Sequence, residues 1–450
     1  MSQDIRVKKG LNIKLKGQAA LTTAASYRSD FYAIKPTDFY GITPKLAVKA
    51  GDEVAVGDVV FFSKGDDRIK FTSPVSGIIK EIKRGAKRKV LAIVIEAKSE
   101  DEAKDFGAAN PLDLDREAVL DKILESGTFA YVKQRPYDVI ANPSDTPKAI
   151  FVSSFDTAPL APDYAYALKG KEKAFQAGIN ALTKLTEGVV NLAVNSTEAT
   201  FFDKIENANI LNVYGKHPAG NVGTQIAEVS PINQGDRVWT VSPLGVAIIG
   251  ELFLTGKYNP TKLVALAGSR VNNSGYFELK PGQNLQKLIA DNVNAEGARI
   301  ISGNVLTGTK IEAEDYLGFY DSSITVIPEG NESRFFGWLP FVGSSSIHSA
   351  SKTSWSWLNP NKEYDLNTSL NGEERALVVT GEMEKVVALD VFPMQLLKAC
   401  IANDIEKMEN LGIYEVAPED FALVDYTNTS KLEAQEIIRQ GLDLMIKEVG

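Results

Sequence analysis

From about Ala149 onward the sequence switches repeatedly between two hydrophobic periods, and this switching constrains the fold more than any other feature. Ala149-Ile150-Phe151-Val152-Ser153 is a continuous, mostly apolar run of strand length, the pattern of a strand buried on both faces. Lys171 to Leu185 then places Phe175, Ile179, Leu182 and Leu185 at helical spacing. Further strand runs follow at Val189 to Val194, Ile210 to Tyr214 and Val238 to Val241. Strands separated by helical stretches predict βαβ units around a mostly parallel sheet, a Rossmann-like α/β arrangement. A helix over Arg116 to Ser126 precedes it, after a charged linker from Lys98 to Pro111.

The first hundred residues read as short strands between turns at Gly51-Asp52, Gly57-Asp58, Gly65-Asp66 and Pro74 to Gly77. Two Gly-Asp turns stand six residues apart inside Val48 to Val59, and Ser73-Pro74-Val75-Ser76-Gly77-Ile78-Ile79-Lys80-Glu81-Ile82 follows. Glycine supplies the backbone conformation of a tight turn, and Asp can bond amides across it. The arrangement resembles the lipoyl/biotinyl-carrier type of β-sandwich. Such carriers present a modifiable lysine on the hairpin that here reads Lys64-Gly65-Asp66-Asp67-Arg68-Ile69-Lys70. Arg68 stands nearest that place and cannot be acylated, so an unmodified form is expected.

A chain of 450 residues exceeds what one core supports. The organisation expected is an α/β multi-domain protein: a carrier-like β-sandwich over 1–100, then a linker helix and Rossmann-like α/β domain over 101–258. A β-grasp-like domain of the soluble-ligand-binding type is expected over 259–330, where strand (Lys262 to Ala267), helix (Leu285 to Val293) and glycine-punctuated strand (Arg299 to Gly308) succeed one another. An aromatic-rich connecting segment takes 331–380 and a helical domain 381–450. In the last, Leu397, Ile401, Ile405 and Met408 form a stripe, and Ser430-Lys431-Leu432-Glu433 reads as a capping box opening a final helix striped by Ile438, Leu442, Met445 and Val449.

One cysteine, Cys400, and two histidines, His217 and His348, are too few for an iron–sulfur cluster or a structural zinc site within one chain. No metal site and no covalently bound cofactor are expected. The formal charge of −9 argues against a nucleic-acid partner and against general adhesion to anionic lipid. No signal peptide is expected at Met1-Ser2-Gln3-Asp4-Ile5, and the most apolar stretch, Leu244 to Leu254, is about half the roughly 20 residues a spanning helix needs. A lone cysteine suits a reducing cytoplasm.

No catalytic residue emerges from spacing. The loop Gly215-Lys216-His217-Pro218-Ala219-Gly220-Asn221-Val222-Gly223-Thr224 follows a strand, and such loops can wrap a phosphate. It lacks the Lys-Ser/Thr of a Walker motif and the dinucleotide fingerprint. A structural turn and a ligand or partner contact through His217, Gly220 and Gly223 both remain open. Two tracts, Phe31 to Gly41 and Thr128 to Tyr137, interleave aromatic and basic residues. Phe39, Tyr40, Tyr131, Arg135 and Tyr137 are candidates for a flat aromatic head group with carbonyls, or for packing between domains. Phe336, Trp338, Trp355 and Trp357 suggest contact with a partner protein or membrane surface, with buried core as the alternative.

Lys8-Lys9-Gly10-Leu11, Val48 to Gly57, Lys70 to Gly77, Lys83-Arg84-Gly85-Ala86-Lys87-Arg88, His217-Pro218-Ala219-Gly220, Gly223-Thr224, Gly250 to Gly256, Arg299 to Gly303, Tyr316-Leu317-Gly318, Phe336-Gly337-Trp338 and Leu389-Asp390 run in this order along nearly the whole chain. Together they resemble the A-subunit family of the sodium-translocating NADH:quinone reductases, bacterial respiratory sodium pumps. The resemblance implies a peripheral subunit on the cytoplasmic face of the bacterial inner membrane, with other subunits of the complex, some membrane-spanning, as partners. It implies an oxidoreductase complex that takes NADH and ubiquinone or menaquinone, with NADH and flavins bound elsewhere and quinone contacting this chain at the tracts above. A purely structural scaffold without a ligand and a self-contained flavin dehydrogenase are the alternatives. A more distant likeness joins the domain order to the flavin- and NADH-binding subunit of proton-pumping complex I. There a glycine-rich loop precedes the first Rossmann strand, whereas Gly127 to Pro136 here is bulky, and the C-terminal cluster cysteines are missing.

Overall fold

The middle of the chain folds as its periodicity predicts, into a seven-stranded sheet, with one strand recruited from the other end of the sequence. The computed structural model describes residues 3–24, 26–330, 335–337, 339, 347–350 and 355–450. β1 (Gln3–Val7) does not pair with the strands that follow it in sequence; it joins the edge of this sheet about two hundred residues away, parallel to the strand over Asn209–Gly215.

The N-terminal unit contains β2 (Phe31–Ile34), β3 (Pro44–Leu46), β4 (Glu53–Val54), β5 (Val59–Ser63), β6 (Lys70–Thr72), β7 (Gly77–Arg84) and β8 (Val90–Ala97). They form two antiparallel sheets, β2-β8-β7-β4 and β3-β5-β6, and bury Phe61, Phe71, Val75, Ile79, Ile93 and Ile95. The Gly-Asp turns work as expected: Asp52 accepts from the Lys49 amide at 2.9 Å and Asp58 from the Ala55 amide at 2.8 Å. Arg68 forks onto Asp66 and donates to Ser144 Oγ at 2.8 Å, so the carrier hairpin is tied to the α/β domain.

That domain holds α1 (Arg116–Glu125), β9 (Val132–Arg135), β10 (Val139–Ile140), β11 (Ala149–Ser153), α2 (Tyr164–Ala167), α3 (Glu172–Thr183), β12 (Val189–Asn195), β13 (Asn209–Gly215), α4 (Val222–Val229), β14 (Val238–Val241) and α5 (Pro243–Thr255). The strand order is β1-β13-β12-β11-β14-β9-β10, parallel from β1 to β14 and antiparallel at β9 and β10. α3 and α5 touch backbone to backbone: a Cβ at Gly250 would lie 1.7 Å from the Ala174 oxygen, and one at Gly178 2.0 Å from that of Val246. Any side chain there would push the helices apart. The apolar stretch from Leu244 is α5, and among the described residues no helix is long and apolar enough to cross a membrane.

A third unit is a five-stranded mixed sheet of β15 (Lys262–Ala267), β16 (Gly275–Leu279), β17 (Ala298–Ser302), β18 (Thr309–Ile311) and β19 (Ser323–Pro328), ordered β16-β15-β19-β17-β18, with α6 (Gln286–Asn292) between β16 and β17. Leu285, Leu288 and Ile289 pack with Val264, Leu266, Phe277, Ile324 and Val326 in a separate core. The strand expected to reach Gly308 stops at Ser302, because the Asn304 carboxamide accepts from the Leu306 and Thr307 amides and closes a turn.

The C-terminal helices are α7 (Pro393–Ile401), α8 (Ile405–Asn410), α9 (Ala422–Thr427) and α10 (Ala434–Glu448). Two expectations fail here. The stripe of Leu397, Ile401, Ile405 and Met408 is broken between helices, where Asp404 caps α8 and Ile401 is left 55% exposed. The capping box does not form either. Ser430 donates to the Ala376 oxygen, Lys431 takes a left-handed φ of 55°, and α10 starts at Ala434 instead, its first amides received by the Asp425 carboxylate. A tertiary partner replaces the local cap. Ile438, Leu442 and Met445 are buried as their spacing predicts; Val449 lies beyond the helix end.

Candidate functional site

The N-terminal, α/β and third units meet at a cluster of aromatic rings. Phe39 leaves the short turn Pro36–Asp38 and points inward, its ring 4.2 Å from Phe71, 4.7 Å from Phe319 and 6.0 Å from both Phe61 and Tyr320. Tyr131 stacks on the far side of this group at 4.7 Å from Phe319. Its hydroxyl lies 3.4 Å from that of Tyr258, and Tyr320 donates to the Ala130 oxygen at 2.7 Å. Burial pushes the Tyr258 hydroxyl up to about 12 and that of Tyr131 well above its usual range, so both stay protonated and able to donate.

A cavity of about 20 Å³ opens among Lys35, Phe39, Phe71, Tyr258, Gly282 and Phe319. That is room for about one water, so a flat ring enters only if these side chains part. The polar groups around it come from different units. Asp38 accepts from the Phe319 amide at 2.9 Å, and Lys262 donates to the Phe319 oxygen at 2.8 Å. Burial lowers the Lys262 amine to about 8 against the opposing pull of Asp321 and Asp38, and burial raises the Asp38 carboxyl.

Tyr40, Arg135 and Tyr137 lie elsewhere, at the seam with the C-terminal helices. Arg135 is 1% exposed and grips Asp420 at 2.7 Å and Glu419. Burial alone would lower its guanidinium, but those two carboxylates hold it above its ordinary value. Tyr40 donates to Asp443, while the Arg439 guanidinium sits 4.0 Å over the Tyr40 ring and donates to the Tyr137 carbonyl at 2.7 Å. Neighbours in sequence, Phe39 and Tyr40 therefore serve two different junctions.

The glycine loop after β13 is filled by the chain itself. His217 Nδ1 is 3.1 Å from Thr157 Oγ1, which also receives the Gly220 amide at 2.9 Å. Burial lowers the His217 imidazole to about 4, so the ring is neutral at ordinary pH. The Leu11 amide covers the His217 oxygen, and a Cβ at Gly220 would lie 2.7 Å from the Thr157 nitrogen. A Cβ at Gly223, in the first turn of α4, would lie 2.7 Å from Asp420 Oδ1 and 2.8 Å from the Arg135 guanidinium. A carboxylate of the protein thus stands against a helix start, where negative charge is favoured. Gly127 faces Thr72 Oγ1, which bonds the Ser126 oxygen at 3.0 Å.

Phe336, Trp355 and Trp357 are 48%, 57% and 52% exposed; Trp338 lies outside the described residues. Among the described residues no cluster of His, Cys, Asp and Glu could hold a metal ion. Sequence reasoning did not single out Phe319, Tyr258 or Asp38 at the cavity, Tyr320 and Lys262 against Phe319, or Thr157 beside His217. The adjacency of Phe319 and Tyr320 to the quoted Tyr316-Leu317-Gly318 was the available signal.

Three family models match the chain: the NqrA N-terminal barrel-sandwich hybrid domain over residues 5–98, the NqrA second alpha/beta domain over 114–258, and the NQRA C-terminal domain over 263–313. The A subunit of the Na(+)-translocating NADH-quinone reductase of Cellvibrio japonicus is 35% identical over 443 residues, covering 97% of this chain and 98% of that protein. Its counterpart in Saccharophagus degradans is 34% identical over 99% of this chain and 100% of that one. A solved NAD+-reducing [NiFe]-hydrogenase in the H2-reduced state is similar at 11% identity and a TM-score of 0.40, over 75% of this chain and 62% of that one, too slight a likeness to carry an argument. On the full-length identity and the three domain matches, the chain belongs to the A-subunit family of the Na(+)-translocating NADH-quinone reductases.

Proposed function

We propose that this chain is the peripheral, cytoplasmic-face subunit of a sodium-translocating NADH:quinone oxidoreductase, inactive alone, binding no flavin or metal itself and contributing to a quinone site. Relatedness over essentially the whole chain is the observation that carries the subunit reading. The finer fold reading goes with it: a Rossmann-like α/β domain and a β-grasp-like third unit of the soluble-ligand-binding type. NADH and flavins belong to other subunits of the complex, and Phe336, Trp338, Trp355 and Trp357 are the proposed contacts with its membrane-spanning members.

For the quinone the aromatic cavity is the better of the two candidate places. Phe39 and Phe319 line it, with Tyr131 stacked behind Phe319, and Tyr258 and Lys35 supply hydrogen-bond donors at its wall. A ubiquinone or menaquinone ring suits such flat apolar walls with a few donors. Arg135, Tyr137 and Tyr40 act on the ligand indirectly in this reading, by seating the C-terminal helices. A scaffold without a ligand is the second reading, and the small size of the cavity favours it. Titration of the assembled complex with a short-chain quinone, followed by tryptophan fluorescence and by NADH:quinone activity, separates the two. A saturable change weakened by Phe39→Ala supports the site; no change, and activity indifferent to Phe39→Ala, leaves the scaffold.

A further inference from the structure

The turn between β7 and β8 gathers positive charge on an otherwise acidic protein. Lys83, Arg84, Lys87, Arg88 and Lys89 are five of the seven residues from 83 to 89, and Glu81 is the one carboxylate between residues 80 and 95, in a chain of net charge −9. All five basic side chains are exposed. Lys83 pairs with Glu81 at 3.5 Å. Among the described residues no carboxylate lies within ion-pair distance of Arg84, Lys87, Arg88 or Lys89.

The turn also lies beyond the rest of the sheet. β8 meets β2 no nearer the tip than Ile93, and β7 meets β4 no nearer than Ile78. Beyond the Ile82–Ile93 rung no third strand pairs with the hairpin, which continues through Lys83–Ala92 and Arg84–Val90, roughly 7 Å of two-stranded ribbon before the turn begins. The inward side chains of this ribbon, Ala92 and Val90, are buried, and its basic face is exposed. The turn is built, not frayed: the Gly85 amide bonds the Lys89 oxygen at 2.8 Å and the Arg84 guanidinium bonds the Arg88 oxygen at 3.2 Å. Lys87 and Arg88 are both left-handed, at φ 51° and 60°, a conformation that non-glycine residues rarely hold. No buried contact in the turn explains it, since none of its residues is buried.

We propose that the β7–β8 arm binds the headgroups of anionic phospholipid, as this subunit's own contact with the membrane surface. Protein interfaces have an apolar core and few lysines; this tip has neither pocket nor apolar core, and half-exposed Leu91 lies at its base. Clusters of four to eight basic residues beside a membrane bind anionic lipid with a contribution from each charge. The total charge argues the other way, but it is averaged over the whole body. With a Debye length of about 8 Å in physiological salt, a surface that meets the turn feels its five basic residues first and the more distant carboxylates of the body only in screened form. The proposal goes beyond the subunit reading and rests on it only for the presence of a membrane nearby.

The test is co-sedimentation of the full-length chain with phosphatidylcholine vesicles and with mixed phosphatidylcholine–phosphatidylglycerol vesicles, at low and high salt. Binding to the mixed vesicles alone, released by salt, is expected. The variant R84Q/K87Q/R88Q/K89Q should lose about 100-fold or more in partitioning with an unchanged melting temperature. K169Q/K173Q/K204Q/K216Q, with the same net charge, should bind as the unmodified chain does. Absent binding by the unmodified chain, or equal loss in both variants, overturns the proposal. So does an arm variant that binds vesicles normally but no longer co-purifies with the membrane-spanning subunits, which would assign the arm to an acidic protein face. Co-purification of the unmodified chain with those subunits tests the subunit reading separately; its failure beside intact vesicle binding would leave the arm's role standing.

Discussion

Two junctions in this molecule are built on opposite principles. At the glycine loop and the seam with the C-terminal helices, the places where a cofactor could be sought are occupied by the protein's own groups: His217 against Thr157, and Asp420 with Arg135 against Gly223. At the meeting of the other units, aromatic rings from distant stretches surround a small space that the chain leaves open. The first junction places most of its polar groups against internal partners, with Asp420 Oδ1 and Arg135 Nε left buried without a hydrogen bond. The second sets one tyrosine hydroxyl, that of Tyr258, and one amine, that of Lys35, beside the apolar walls of that space.

The comparison breaks most visibly at Asp420. Asp420→Ala strands the buried Arg135 guanidinium beside Glu419 alone, and a loss of about 3–5 kcal/mol in urea unfolding is expected. The double replacement Arg135→Met with Asp420→Leu should recover part of it, because the buried guanidinium is gone, while Glu419 and the Ala417 amide lose their partners. A loss under about 1 kcal/mol for the single variant would mean the seam is not held by this pair.

A smaller effect comes from acid. The folded imidazole of His217 sits at about 4 against an ordinary 6.5, so between those values the unfolded chain binds more protons. Its contribution is complete above about 6.5 and lost as pH falls toward 4, by about 1–2 kcal/mol at roughly pH 5. His217→Gln should flatten that part of the stability-against-pH curve. Curves of equal slope for both proteins would show the loop open to solvent rather than plugged.

The open junction should respond least in stability. Phe39→Leu keeps an apolar side chain but removes ring contacts to Phe71 and Phe319, at a cost of about 1 kcal/mol. If the cavity admits a ligand, the same variant should weaken quinone-dependent fluorescence in the assembled complex far more than that modest change in unfolding. A stability loss as large as that at Asp420, with quinone response intact, would make this junction a second piece of core.

Much of the fold is legible in the sequence because it is local. Ala149 to Ser153 and the helix face of Phe175, Ile179 and Leu182 carry their own periods, and the Gly-Asp turns carry their own bonds. The start of the final helix is not legible, for the opposite reason: Asp425, from the preceding helix, caps it instead of Ser430. The candidate rings stand out as a group, yet their division into two junctions does not, since Phe39 and Tyr40 are adjacent in sequence and face different neighbours.

By itself the sequence determined the element types, the shortage of metal ligands, the family resemblance and the charge run at Lys83 to Lys89, because each depends on residue identity and near spacing. Tertiary structure alone decided that β1 crosses to the edge of the central sheet, that Asp420 comes to Gly223, and that Phe319 and Tyr258 complete the cavity. Those pairings join residues tens to hundreds of positions apart. Their stability comes from burial and charge pairing that exist only once the chain has closed on itself, and no local period records them.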